Sequence, residues 1–302
     1  MLQRFARPAG RALAVGGLLA GLVAAPTLAA SASGTITTYT CRGTPQAPGV
    51  LAGRFKGNVV VRGACAVNGG PAVVEGNLRV ARGGALLAAF AMNDRTGKGA
   101  SSLTVEGNLV VARGAAAALG CEPNFFTCID DKGKTPSLQS RVTIGGDLAS
   151  YRALGVLVHN TSVAGDVSQF GGGGGLTCKP QGIFAAFNSP AYSDYEDDAI
   201  GGSVAVSGVR SCWLGLLRNA VHGSLSFEGN RMADPDANEV LHNYVNRSLS
   251  CSANSPAVQY GDSGGSPNVV NGGAYGQCGF RVMKPNPAPS GPLEPISIRS
   301  TA

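Results

Sequence analysis

The sequence predicts an all-β fold, a single-stranded right-handed parallel β-helix with disulfide-clipped caps, on three observations. A seven-residue pattern (apolar, any, Gly, Asn/Asp/Ser, Val/Leu, any, mostly apolar) recurs eight times, starting at Phe55, Val74, Val105, Ile144, Val163, Ile200, Val221 and Val245. The starts are 19, 31, 39, 19, 37, 21 and 24 residues apart, and a unit that short cannot bury its own apolar edge, so stacked units must supply the core. The polar residue of each copy is Asn58, Asn77, Asn108, then Asp147, Asp166, then Ser203, Ser224 and Ser248. Like follows like, as a ladder of neighbours ~4.8 Å apart would have it.

Within each copy the apolar residues alternate with polar or small ones around the central position, so Val74–Val80 and Val105–Val111 each read as strand, bend, strand. Stacking aligns Val59/Val61, Leu78/Val80, Leu109/Val111, Val204/Val206 and Leu225/Phe227 into internal columns. Parallel crossovers are right-handed almost without exception, which sets the expected hand.

Residues 1–32 read as a secretory signal peptide. Arg4, Arg7 and Arg11 precede an apolar run from Ala12 to Ala25, and Ala30-Ser31-Ala32 is a small-residue cleavage site, with cleavage after Ala29 the alternative because Thr27 and Ala29 satisfy the same rule. The domain is then 33–283, with an entry cap over 33–53 and the repeat from Phe55 to Cys251. The long intervals carry loops at 93–99, at 120–139, where Cys121 and Cys128 would staple a segment holding Phe125 and Phe126, and around Gly171–Gly175 and Asp194–Asp198. Residues 284–302, with five prolines and no apolar period, are expected to be a disordered tail. Removing the three leader arginines leaves 21 basic against 18 acidic residues, so the net charge of +6 falls to +3 and predicts no nucleic-acid partner. No later apolar stretch reaches the ~20 residues of a membrane helix, and the protein is expected to be secreted.

Eight cysteines in an exported chain are an even set, expected as four disulfides; eight allow about 105 connectivities among which the sequence does not choose, and the neighbour pairing Cys41–Cys65, Cys121–Cys128, Cys178–Cys212 and Cys251–Cys278 is the expectation adopted. No C-x-x-C pair suggests a zinc site, and no cofactor is expected.

The chain resembles exported bacterial right-handed β-helix proteins of uncharacterised function, similar in architecture to pectate-lyase-like solenoids. The resemblance rests on the G-N-[LV]-x-V repeats and on the ending Ser248–Ala257, Gly261–Asn268 and Gly276-Gln277-Cys278. It implies a fold and an extracellular location, and no reaction.

Four features bear on chemistry. Gly261-Asp262-Ser263-Gly264-Gly265 matches the nucleophile segment of chymotrypsin-like proteases, but no histidine has the matching context and a solenoid repeat excludes the double barrel, so it reads as a turn. The segments Val158-His159-Asn160, Phe187-Asn188, Leu217-Arg218-Asn219 and Leu241-His242-Asn243 suggest an Asn column, with His159, Arg218 and His242 beside it as an outward cationic strip for an anionic polysaccharide. As weak catalytic candidates, His242 or Tyr244 with Arg218 would supply the base and cation of an eliminative cleavage. Asp194, Glu196, Asp197 and Asp198 are weak calcium candidates without EF-hand spacing, the other reading being a solvated loop. The expected function is a secreted, non-enzymatic solenoid, structural or binding envelope or extracellular polysaccharide; the alternative is a polysaccharide lyase or glycoside hydrolase on the same fold.

Overall fold

The computed structural model describes residues 37–132, 137–260, 265–279 and 282–283. The expected signal peptide, the proline-rich tail and Gly261–Gly264 of the protease-like segment lie outside the described residues.

In each repeat the chain visits three ladders of strands in turn, named sheets A, B and C here. Leu103–Val105 lies in sheet C, Leu109–Val111 in sheet A and Ala116–Leu119 in sheet B; Val142–Ile144 then returns to sheet C, parallel and in register with Leu103–Val105. Sheets A and B are joined by the long strand Asn58–Ala66, which pairs with Leu78–Val80 through its first half and with Ala85–Ala88 through its second. Among the described residues sheet C holds ten strands, from Gly53–Phe55 to Val282–Met283. Among the described residues the only helix is the 3-10 turn Gly182–Phe187, so the chain is nearly all-β with long parallel sheets. That arrangement is compatible with a parallel β-helix.

The repeat residues sit where the periodicity puts them. Val59, Leu78, Leu109, Leu148, Val167, Val204, Leu225 and Leu249 form one in-register column in sheet A, each at most 1% exposed. The polar column is hydrogen bonded throughout: the backbone N–H groups of Asn77, Asn108, Asp147, Asp166, Ser203, Ser224 and Ser248 each donate to the side-chain oxygen of the preceding member, at 2.7–3.4 Å. This also explains the motif glycine. A Cβ on Gly76 would lie 2.6 Å from Asn58 Oδ1, and one on Gly107 2.6 Å from Asn77 Oδ1. The eighth copy departs from the pattern, with Arg247 at the glycine position, and a ninth follows it: Val270-Asn271-Gly272-Gly273-Ala274 continues sheets C and A beyond Cys251, where the sequence reads only as cap punctuation.

The inserted segments have a common place. Sheet B strands such as Ala85–Ala88, Ala116–Leu119 and Gly155–His159 are buried on both faces. Their outward residues Leu87, Ala116, Ala118 and Leu157 form a second apolar cluster with Cys121, Cys128, Phe184 and Ala191 of the insertions. Continuous apolar runs in place of alternation are what a doubly covered strand requires.

The eight cysteines form the four neighbour pairs Cys41–Cys65, Cys121–Cys128, Cys178–Cys212 and Cys251–Cys278, and none is free. Titration of the denatured, unreduced protein with a thiol reagent is expected to detect no thiol, and eight after reduction; two or more before reduction would contradict this pairing. No helix among the described residues is long and apolar enough to cross a membrane.

Candidate functional site

Two surfaces concentrate chemistry, and neither is the strip expected from the sequence. The first lies on the outer face of sheet B. His159 ends the strand Gly155–His159 and is in register with Glu196, which ends the strand Ser193–Glu196. The acidic run is therefore a buried strand and its following turn, not a solvated loop: Asp194, Glu196 and Asp198 are at most 9% exposed. His159 is 1% exposed and Arg218 7%, so they do not form an outward cationic strip.

The register differs from the sequence reading by one residue. Thr161, Asp198, Asn219, Asn243 and Asn268 make the internal ladder, in which each backbone N–H of the first four donates to the next side-chain oxygen at 2.8–3.1 Å. Asn160 falls one position earlier and Asn188 caps the 3-10 turn with φ 50°. Arg218 and His242 occupy equivalent left-handed turn positions, with φ 54° each, on successive coils, whereas His159 belongs to the column of Glu196 and Leu217. Tyr244 lies in sheet C with its hydroxyl accepting from Asn271 Nδ2, and the Arg218 guanidinium, the cation of the expected lyase pair, is already engaged by Glu196 and Asp197.

What does assemble around His159 and Arg218 is acidic. Arg218 Nη2 donates to Glu196 Oε2 at 2.9 Å and to Asp197 Oδ2 at 2.8 Å. The disulfide-stapled loop covers the cluster: Phe125 lies under the Arg218 guanidinium at 3.9 Å, and Phe126 stacks on the His159 ring at 4.1 Å and 6°. Glu122, from the same loop, joins the acids. Burial, its hydrogen bond with Asp197 and that neighbour's charge push its carboxyl up to about 9. Burial also raises Asp194, helped by the Glu196 charge, and raises Asp198 although the Thr161 N–H opposes this. Burial works against ionisation of Glu196 too, but its His159 and Arg218 contacts outweigh it and hold this carboxyl below its ordinary value. Glu122 is the residue sequence reasoning missed; nothing local marks it, and only the Cys121–Cys128 staple hints that its loop is held in place.

Beside this cluster, Leu157, Phe126, Phe184 and Tyr192 help to line an apolar cleft of about 420 Å³.

The second surface is basic. Arg82, Arg113 and Arg152 occupy equivalent positions at the turn from sheet A to sheet B on three successive coils, since Val80, Val111 and Ser150 are in register before them and Ala85, Ala116 and Gly155 after them. All three are exposed, as are Arg79 and Arg210. Two adjoining grooves of about 400 and 540 Å³ run past four of the five, one lined by Arg79, Arg113, Arg152 and the stacked pair Tyr151 and Phe170, the other by Arg113, Arg152, Arg210 and glycines of the 171–175 run. No acidic residue lines either groove, and among the described residues none of these five arginines is in an ion pair. The repeated Val-Ala-Arg-Gly at Val80–Gly83 and Val111–Gly114 was the available sequence signal.

The chain matches no protein-family model, no curated protein and no solved structure. What the structure shows of the expected resemblance is an all-β chain with long parallel sheets, compatible with a parallel β-helix.

Proposed function

We propose that this protein is an exported, non-enzymatic right-handed parallel β-helix that binds an anionic polysaccharide along the Arg82–Arg113–Arg152 column. The observation carrying this reading is the set of exposed, unpaired guanidinium groups repeated coil by coil beside the stacked Tyr151 and Phe170. Successive coils present charge at ~4.8 Å intervals. A chain of uronate residues lying along the rod meets one guanidinium after another, each able to fork onto a carboxylate, while the aromatic rings offer apolar faces to the sugar rings. This keeps the anionic ligand expected from the sequence and moves it from the His159, Arg218 and His242 column, two members of which are buried among acids. Four disulfides support export, and closure of the carboxylate cluster beneath Phe125 and Phe126 supports binding without catalysis.

The test is retention on immobilised polygalacturonate, with dextran as the neutral control. The wild-type protein should be retained on the acidic matrix alone and released by about 0.5 M salt, since exposed charges are screened within ~3–10 Å at such ionic strengths. The triple variant Arg82→Ala, Arg113→Ala, Arg152→Ala should bind at least tenfold more weakly with little change in melting temperature, because exposed side chains contribute little to stability. Unchanged retention, or equal binding to dextran, would overturn the reading.

One observation favours the alternative of a glycoside hydrolase: Glu122 and Glu196 are pushed in opposite directions, as a general acid and its carboxylate partner are. Release of reducing ends from polygalacturonate, abolished by Glu196→Gln and unaffected by the arginine substitutions, would favour catalysis over simple binding.

A further inference from the structure

We propose that Glu122, His159 and Glu196 hold a divalent transition-metal ion of the zinc class, which pins the disulfide-stapled loop to the outer face of sheet B. Each residue offers one ligand atom, and the three atoms lie within 4.8 Å of one another. They come from three separate parts of the chain: the loop closed by Cys121 and Cys128, the end of Gly155–His159, and the end of Ser193–Glu196.

An independent observation points to a missing ligand. His159 is 1% exposed, yet neither of its ring nitrogens has a hydrogen-bond partner, and Glu122 Oε1 is likewise buried without one. Buried polar atoms are almost always satisfied, so these unpartnered atoms on two of the three residues need an explanation. The spacing supplies it. His159 Nδ1 stands 3.6 Å from Glu196 Oε2, beyond hydrogen-bond range, whereas two ligands ~2.1 Å from one tetrahedral ion lie ~3.4 Å apart. The other ring nitrogen faces Asp194 Oδ2 at 3.7 Å, which puts a carboxylate behind the imidazole, where one commonly orients a metal-bound histidine.

Charge argues the same way. Glu196 and Asp197 share one guanidinium, Asp194 and Glu196 flank one imidazole, and with Glu122 beside them a divalent cation would compensate the carboxylates that bind it. Of the calcium candidates expected from the sequence, Asp197 is engaged by Arg218 and Asp198 Oδ1 by the Thr161 N–H. Of the acidic run, Glu196 alone belongs to this ligand set. A set of one imidazole and two carboxylates favours zinc, or a neighbouring transition ion, over calcium or magnesium. No residue is shared with the arginine grooves, so this proposal stands or falls apart from the polysaccharide reading.

The mature protein, stripped with a chelator and desalted, is titrated with Zn²⁺ and, for absorbance, with Co²⁺. One equivalent should bind, Co²⁺ should develop visible d–d bands, and Zn²⁺ should raise the melting temperature. Glu122→Gln and His159→Gln should each weaken Zn²⁺ binding at least tenfold, while His222→Gln, at an exposed histidine, should leave it unchanged. Glu122 lies outside the strands, so Glu122→Gln keeps the test decisive if the His159 variant does not fold. No uptake at millimolar Zn²⁺, wild-type affinity in Glu122→Gln, or preference for Ca²⁺ over Zn²⁺ would overturn the proposal.

Discussion

Replacing Asn243 by alanine is expected to lower the melting temperature by about 10 °C. Asn243 is fully buried, and its Oδ1 accepts from both the backbone N–H and the Nδ2 of Asn219 at 3.0 Å, while its Nδ2 donates to the Leu216 carbonyl at 2.7 Å and to Asn268 Oδ1 at 2.9 Å. The substitution takes the acceptor from a buried backbone N–H and leaves a small void, together costing about 3–4 kcal/mol. At ~2–4 °C per kcal/mol for a domain of this size, the shift is readily measured by thermal unfolding. Asn77→Ala makes the control. Asn77 is exposed and its Oδ1 accepts the Asn108 N–H at 2.8 Å, but water can replace it there, so the cost should be about 1 kcal/mol. Equal losses in the two variants would mean that burial does not distinguish the two ladders.

The contrast between the ladders also marks what was legible in the sequence. The outer ladder from Asn58 to Ser248 announces itself because each member follows a fixed apolar-x-Gly frame, and the frame exists because a side chain on Gly76 or Gly107 would collide with the ladder beneath it. The inner ladder has no such frame. Any short side chain with an oxygen can accept the preceding member's N–H, so Asp198 and Asn219 are equivalent members, and alignment on asparagine alone puts Asn160 one position too early. In a strand a one-residue slip exchanges the two faces. Here it separated His159 from Glu196 and made a buried ionic cluster read as a surface strip. Glu122 was beyond reach for another reason: it approaches His159 and Glu196 only because the insertion after Leu119 folds back over sheet B.

Arg218→Met is the second large effect expected, a loss of about 3–5 kcal/mol measured in the presence of chelator. Its guanidinium is 7% exposed and bonds both Glu196 and Asp197, and burial of the charge is offset by those two carboxylates. Among the described residues, the other basic side chain seen against this cluster is His159. Methionine keeps the apolar contact with Phe125 but leaves Glu196 and Asp197 facing Glu122 and Asp194 with no guanidinium between them, and stranding a buried charge costs more than a buried ion pair contributes. The second substitution identifies the cause. If the loss comes from stranded negative charge, adding Glu196→Gln and Asp197→Asn to Arg218→Met should recover most of the stability, and the double-mutant coupling should far exceed the ~0.2–1 kcal/mol of an exposed ion pair. If the loss came from packing alone, neutralising the acids would recover nothing. The result also bears on binding: a variant lacking Arg218 that unfolds readily loses retention on any matrix, so substitution at His159, Arg218 and His242 together reports on folding, and the ligand question belongs to Arg82, Arg113 and Arg152.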